Sequence, residues 1–416
     1  MTRHYLEQIL ETLNRYGKTD NGMMRLAYSK PERDAVACFA ELCEREGMQV
    51  RYDACGNLIA RKEGRNPELP AVAFGSHLDT VSNGGRYDGA AGVAAAISVI
   101  HSFNLQGVQT DCPLEIICFA CEESSRFGVS TIGSKAMSGE LKKEGLERLK
   151  DNKGITLPEA LDASGYTFAS IEDSLRDGKE LRAFFELHIE QGPYLENEKK
   201  QIGVVYAIAA PVRLAVTVRG RTAHSGATPI HMRKDALLGA AEIALELEAM
   251  AKRELLNGMV ATVGVLSVNP GAINVVPGLV EMQVDIRCST EQVKRQSMEE
   301  VRKLFERVGR ERGLSMEWEL LSDESPTLLH GDAIASIRSA CESLGFSYAV
   351  MPSGAGHDAM NMTRLCPTGL LFIPSREGLS HHPDEYTSID SLSEGAMVLG
   401  KVIRQWAQAK GPGTTE

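Results

Sequence analysis

The chain has 416 residues, a hydrophobic fraction of 43%, only 6% aromatic residues and a formal charge of −11. That length points to two domains. The acidic balance and the scarcity of aromatics argue against a nucleic-acid partner, which needs basic stripes and stacking surfaces. No apolar run is long enough to span a bilayer, and the N-terminal residues lack the apolar core of a signal peptide. The nine cysteines are odd in number. They read as reduced thiols, so a cytoplasmic protein with no membrane partner is expected.

The chain opens on an amphipathic helix with Leu6, Ile9, Leu10 and Leu13 on one face. A second helix is expected over 31–47, with Pro at its start and Gly at its end. A hairpin follows over 50–53 and 57–61. The run 71–74 reads as a buried strand and the alanine-rich run 90–100 as a buried helix. Another buried strand covers 114–120. Residues 139–180 read as short helices and loops in a peripheral insertion without chemistry. Residues 184–193 form a strand that runs into a Gly-Pro turn, with Glu186, His188 and Glu190 on one face.

The texture then changes. Strands are expected over 214–219, 259–268, 272–276 and 280–287, with helices over 235–252 and 291–312. Their β-α-β-β-α-β order is that of a ferredoxin-like α+β domain, inserted between two parts of the first. The first domain resumes with a helix over 332–344, a glycine-rich loop over 353–358 whose backbone amides could hold an anion, a strand over 370–374 and a closing helix over 389–407. The tail 410–416 is expected to fray.

Chemistry-bearing residues gather where strands end. His77 and Asp79 close the strand 71–74 and its extension, and Asp88 stands on the loop before the next helix. In open α/β sheets that mouth is where ligands bind. Imidazole with carboxylate suits zinc, manganese, cobalt or nickel, and a carboxylate can bridge two ions. Taken alone, His77 reads equally well as a packed histidine among solvated acids. Glu122 and Glu123 stand side by side after the strand 114–120, a costly arrangement unless a cation relieves one of them. In that case one is a ligand and the other a base; otherwise both are solvated. His188 lies between two acids, and a carboxylate is expected to fix its tautomer. Gln191 could read an amide or carbonyl on a substrate. Seven of the ten histidines fall in or beside such motifs.

The stretches G-S-H-L-D-T-V-x-N-G-G from Gly75, Y-D-G at Asp88, E-E-x-x-R-F from Glu122, E-L-H-I-E-Q-G from Glu186, H-S-G-A-T-P from His224, I-N-V-V-P-G from Ile273, S-G-A-G-H-D from Ser353 and G-L-S-H-H-P from Gly378 span the chain in order. Together they resemble the M20 metallopeptidase-type amidohydrolases. The branch is that of N-carbamoyl-L-amino acid hydrolases, β-ureidopropionases and allantoate amidohydrolases. The resemblance implies an α/β fold: a zinc-peptidase-like α/β/α catalytic domain over 1–207 and 324–416, with an inserted ferredoxin-like α+β lid and dimerisation domain over 208–323. It also implies two divalent metal ions per subunit (Zn, Mn, Co or Ni), a small-molecule substrate and a homodimer.

By the same resemblance, His77 and His188 would hold one ion, Glu123 and His381 the other, and Asp88 would bridge. His382 competes with His381 for that place. Glu122 would be the general base, and Asp79 would orient His77. Gln191, His224, Asn274, Arg287, Gly356 and His357 would contact substrate, with Arg287 clamping a carboxylate and His224 stabilising an oxyanion, in its own or the neighbouring subunit. The apolar stretch 207–212, ending at Arg213, favours N-carbamoyl-L-amino acids over allantoate or another ureide. An M20-type dipeptidase or aminoacylase is a further alternative, against which H-I-E-Q-G argues, since those relatives usually carry a carboxylate ligand where His188 stands.

Overall fold

The computed structural model describes residues 3–254 and 258–409; the tail expected to fray, 410–416, lies outside them. The chain divides into two compact units. The first comprises 3–206, 329–351 and 357–409, and the second 207–328 and 352–356.

The first unit is built on a mixed sheet. Four parallel strands stand side by side in the order Thr368–Ile373, Leu181–Ile189, Ala71–His77 and Leu114–Phe119. Antiparallel strands flank them: Ile202–Ile208 on one side, Leu58–Lys62 and Gln49–Tyr52 on the other. The four central strands are buried on both faces, which explains why they read as continuous apolar runs rather than alternating ones. Helices Arg3–Leu13, Lys30–Arg45, Ala90–Gln106, Gly331–Leu344 and Ile389–Trp406 share one apolar core with the sheet. On Arg3–Leu13 the buried residues are Leu6, Ile9, Leu10 and Leu13, as the 3.6-residue period requires. Helix Ala90–Gln106 outruns the apolar run 90–100 by two turns and stops where Gly107 takes a left-handed conformation (φ 63°). The short helices Ile132–Ser138 and Asp358–Met362 complete the α/β arrangement.

Residues 139–180 are not merely peripheral. Leu146, Leu157, Ala160, Leu161 and Ile171 pack in one apolar cluster with Ala120 and Cys121, directly under the turn that carries Glu122 and Glu123.

The second unit holds a four-stranded antiparallel sheet in the order Met259–Asn269, Leu279–Cys288, Ala210–Arg219, Ser315–Asp323. Its helices are Ala236–Arg253, capped by the Asp235 carboxylate on the Leu237 and Leu238 amides, and Glu291–Arg312, capped by Thr290. Val212, Leu214, Val216 and Val218 alternate into the core with Val280, Met282, Val284 and Ile286. This is the ferredoxin-like β-α-β-β-α-β order. One expectation is corrected: 272–276 does not join this sheet. Val275–Val276 pairs instead with Ala223–His224 in a separate two-stranded sheet, and Ser315–Asp323 supplies the fourth strand.

Candidate active site

The four parallel strands end on the same side, and the site of the first unit lies at that mouth. His77 is the last residue of its strand and His188 the next to last of the neighbouring one. Asp88 lies on the loop before helix Ala90–Gln106. Its carboxylate is nearly fully buried and turns both oxygens to imidazoles. Oδ1 is 3.4 Å from His77 Nε2 and 3.2 Å from His188 Nε2; Oδ2 is 3.3 Å from His381 Nε2. His381 Nε2 is also 3.3 Å from Glu123 Oε1. Two ligand groups therefore share Asp88: His77 with His188, and Glu123 with His381. A third group of donors, Glu186, His188 and His357, lies beneath the first.

The tautomers are set by main-chain carbonyls. His77 Nδ1 donates to Asp79 O at 3.0 Å, and His188 Nδ1 to Ile189 O at 2.9 Å. The expectation that a carboxylate fixes His188 is thereby corrected: Glu186 accepts from Ser76 Oγ and the Ala359 amide, and Glu190 from the Tyr194 and Leu195 amides. With Nδ1 protonated, each Nε2 faces Asp88 Oδ1 as an acceptor, and His188 Nε2 also accepts the Gly89 amide at 3.2 Å. Such a pair of acceptors needs a proton or a cation between them. The donor set of imidazoles and carboxylates fits divalent first-row cations.

Glu122 Oε2 is 3.8 Å from His77 Nε2. The turn bearing both glutamates is strained, for Cys121 is a non-glycine residue at φ 53°. Such a conformation costs about 1–3 kcal/mol and persists only where its surroundings over-determine it. Here the Asp79 carboxylate does so, accepting the Glu122 amide at 3.2 Å and the Glu123 amide at 2.9 Å. Arg126 anchors the following loop to Asp151 and to Ala27 O. Gln191 and His381 also stand at positive φ. Gly89 is confined by contact: a Cβ there would enter the His77 ring.

Burial and neighbours perturb the charges. Burial, reinforced by Glu123, Asp358 and Asp79, pushes the Glu122 carboxyl well above its ordinary range against the pull of His77. Burial also opposes ionisation of Asp88, yet His188, His381 and His77 more than offset it and hold that carboxyl well below its range. Hydrogen bonds to Asp88 and Glu123 raise His381 to about 10.

Of the two adjacent histidines, the structure turns His381 to the cluster; His382 Nδ1 accepts the Asp384 amide. Gln191 Nε2 donates to Asp88 Oδ2 (2.8 Å) and Ser380 Oγ (3.2 Å), while its Oε1 is a buried acceptor without a partner among the described residues. His357 is buried and packs edge-on against His188, with ring centroids 4.6 Å apart. Residues that sequence reasoning passed over also bear on the site. Glu385 accepts the Tyr87 and Asp88 amides, and Ser380 Oγ lies 2.9 Å from Asp88 Oδ2. The only sequence signal for either was adjacency to the paired histidines.

The remaining expected residues lie in the second unit. His224 Nδ1 accepts the Gly226 and Ala227 amides, so its Nε2 carries the proton and is a hydrogen-bond donor on an exposed side chain. The two-stranded sheet puts Val275 opposite His224, and Asn274 O accepts the Ser225 amide. Arg287 Nε donates to Asp285 Oδ1 and Arg213 Nε to Asp285 Oδ2, both at 3.0 Å; Arg287 also donates to Gly354 O. In the loop that includes Gly356, the Ala355 amide is taken up by Ser353 Oγ.

Residues 73–405 match peptidase family M20/M25/M40. The chain belongs to that family. It is 45% identical over 403 residues to an "Uncharacterized hydrolase" of Haemophilus influenzae, covering 97% of this chain and 98% of that one. It is 37% identical over 397 residues to an N-carbamoyl-L-amino-acid amidohydrolase of Pseudomonas sp., with 95% and 96% covered. It is also 34% identical over 409 residues to the allantoate amidohydrolase of Escherichia coli, with 98% and 99% covered. Among solved structures, an amidase of the hydantoinase/carbamoylase family from Burkholderia multivorans superposes with a TM-score of 0.89 at 33% identity, covering 97% of each chain. This M20 member is an amidohydrolase, an enzyme that hydrolyses non-peptide C–N bonds. Among the described residues no helix is long and apolar enough to cross a membrane.

Proposed function

We propose that this M20 enzyme hydrolyses the carbamoyl C–N bond of N-carbamoyl-L-amino acids, releasing the amino acid, carbon dioxide and ammonia. The observation that carries the reading is Asp88, whose two carboxylate oxygens face two separate donor groups at the strand mouth beside Glu122. In this reading His77 and His188 hold one divalent ion, Glu123 and His381 hold the other, and Asp88 serves both. Zinc, manganese, cobalt and nickel all suit such ligands. When bound, the ions supply Lewis-acid activation of water and of the scissile carbonyl.

The chain's own groups do the rest. Glu122 takes the proton of the attacking water and returns it to the departing amino nitrogen. Asp79 holds Glu122 in place through its amide. His224, with its proton on Nε2, donates to the developing oxyanion. Arg287, held by Asp285, pairs with the substrate carboxylate, and Asn274 and Gln191 contact its polar groups. The carbamate released decays to carbon dioxide and ammonia.

A second reading, a ureide such as allantoate, is supported by Arg213, which shares Asp285 with Arg287 and so adds a second guanidinium beside the first. We read the protein as a homodimer formed through the second unit. Its edge strand Met259–Asn269 leaves Val260, Val265 and Leu266 about half exposed, an edge that soluble proteins normally cover. Nine free cysteines, eight of them buried, support a reducing, cytoplasmic setting.

Glu122→Gln tests the chemistry. The variant should retain its metal content and lose turnover by roughly a hundred- to ten-thousand-fold, the range for a lost general base. A variant with full metal content and wild-type turnover would remove Glu122 from the mechanism.

A further inference from the structure

We infer that Glu385 is a positioning residue that locks the Asp88 loop to the His381 loop, so that one carboxylate, Asp88, can serve both metal sites. The inference rests on the dimetal reading above and adds a residue to it.

Glu385 is 3% exposed. Its Oε1 accepts two successive main-chain amides, those of Tyr87 at 2.8 Å and Asp88 at 2.9 Å. Its Oε2 lies 3.1 Å from Ser380 Oγ, which in turn lies 2.9 Å from Asp88 Oδ2. Ser380 immediately precedes His381, and the Glu385 amide donates back to His382 O at 3.0 Å. One buried carboxylate therefore fixes the main chain at Asp88 and, through Ser380, the residue next to His381. Nearly 300 residues separate the two loops in sequence. The strand ends bring them side by side, Gln191 Nε2 bonds to both Asp88 Oδ2 and Ser380 Oγ, and the Tyr87 and Tyr386 rings meet edge-on; of these ties, Glu385 is the one that grips the main chain at Tyr87 and Asp88.

The second glycine of the N-G-G stretch after Thr80 has a physical reason in the same contact. A Cβ at Gly85 would fall on the Glu385 carboxyl group and its Cβ. Gly85 has no left-handed φ that would by itself demand glycine; the space is taken by Glu385. Ligand placement in metal sites tolerates errors of only about 0.2 Å in distance, and residues that orient ligands commonly change metal affinity by about 10- to 100-fold when removed.

The test uses the full chain, with metal per chain measured by mass spectrometry after dialysis, Zn²⁺ or Mn²⁺ titrated calorimetrically into apoprotein, and kcat and KM measured separately. Circular dichroism and thermal melting report the fold. Glu385→Ala should keep the fold and lose about one of two metal equivalents. Its weaker metal step should loosen by about tenfold or more, and kcat should fall while KM changes little. Glu385→Gln keeps one acceptor for the two amides and should fall between wild type and alanine. Gly85→Ala, which removes no polar group, should reproduce the loss of metal affinity by displacing Glu385. Should Glu385→Ala fail to fold, the glutamine and Gly85 variants decide, and wild-type metal affinity in both overturns the inference. Two metals bound with unchanged affinity by a folded Glu385→Ala overturns it as well and leaves the dimetal reading standing. A wild-type chain that binds no metal refutes the dimetal reading itself, and this inference with it.

Discussion

Replacing Asp79 by asparagine separates two tasks that lie on one residue. Its main-chain carbonyl holds His77 Nδ1 at 3.0 Å, with Oδ1 at a longer 3.4 Å, while its buried carboxylate accepts the Glu122 and Glu123 amides at 3.2 and 2.9 Å. Asparagine leaves the carbonyl untouched and keeps one side-chain acceptor. It turns an NH₂ group toward the other amide, so one charge-assisted bond is lost and one buried N–H is orphaned. Each description of that loss is worth about 1–3 kcal/mol, and because they overlap the net expectation is about 2 kcal/mol. The strain at Cys121 makes full compensation by relaxation unfavourable. The chain has two tryptophans, Trp406 in the first unit and Trp318 in the second. Urea unfolding followed by Trp406 fluorescence in a Trp318→Phe background therefore reads the unit that matters. The midpoint should fall by the equivalent of about 2 kcal/mol, metal content should stay at the parent's level, and kcat should drop. A destabilisation under about 0.5 kcal/mol, within the range of ordinary surface substitutions, would refute the claim that Asp79 braces the glutamate turn. Loss of metal would show instead that its carboxylate, not its carbonyl, secures His77.

Two further outcomes are expected. Asp285→Ala frees both Arg213 and Arg287 from their shared partner. KM for a carboxylate-bearing substrate should rise by about 10- to 100-fold, the kinetic equivalent of one or two lost charge-assisted bonds, with a smaller change in kcat; steady-state kinetics that leave KM unmoved would separate Asp285 from substrate binding. Burial, aided by the charge of Asp79, raises the Glu32 carboxyl from 4.5 to about 8. The folded state thus holds a proton that the unfolded state releases. Its stabilising contribution is complete below pH of about 4.5 and is lost as pH rises through about 8. Glu32→Gln should flatten that fall, so that its stability relative to wild type grows from about pH 5 to about pH 9; parallel stability curves would contradict the assignment.

The buried strands and amphipathic helices were legible because period and length decide them. Ala71–His77 and Leu114–Phe119 carry no polar interruption until the strand mouth, and the stripe on Arg3–Leu13 is unbroken. Ser315–Asp323 gives no buried-strand signal because most of its residues are exposed, although Met316, Trp318 and Leu320 alternate as strand residues do. Ile202–Ile208 is an apolar run too short to declare its type. At the site, the metal-ligand candidates could be read because short motifs place them at strand ends. The bonds that hold them could not. Asp88 meets Glu385 and Ser380 across almost 300 positions, and Glu186 meets Ala359 across 173. No local pattern encodes such partners. The share of His77 that falls to a carbonyl rather than a carboxylate is likewise a matter of backbone path.

The most direct measurement is ammonia release by the Mn²⁺- or Zn²⁺-loaded protein from a panel of N-carbamoyl-L-amino acids, N-carbamoyl-β-alanine, allantoate and an N-acetyl amino acid. Turnover of the N-carbamoyl-L-amino acids is expected. Turnover of allantoate alone would contradict it and make Arg213 the residue to mutate, and silence across the panel with both metals bound would show that the substrate class is wrong.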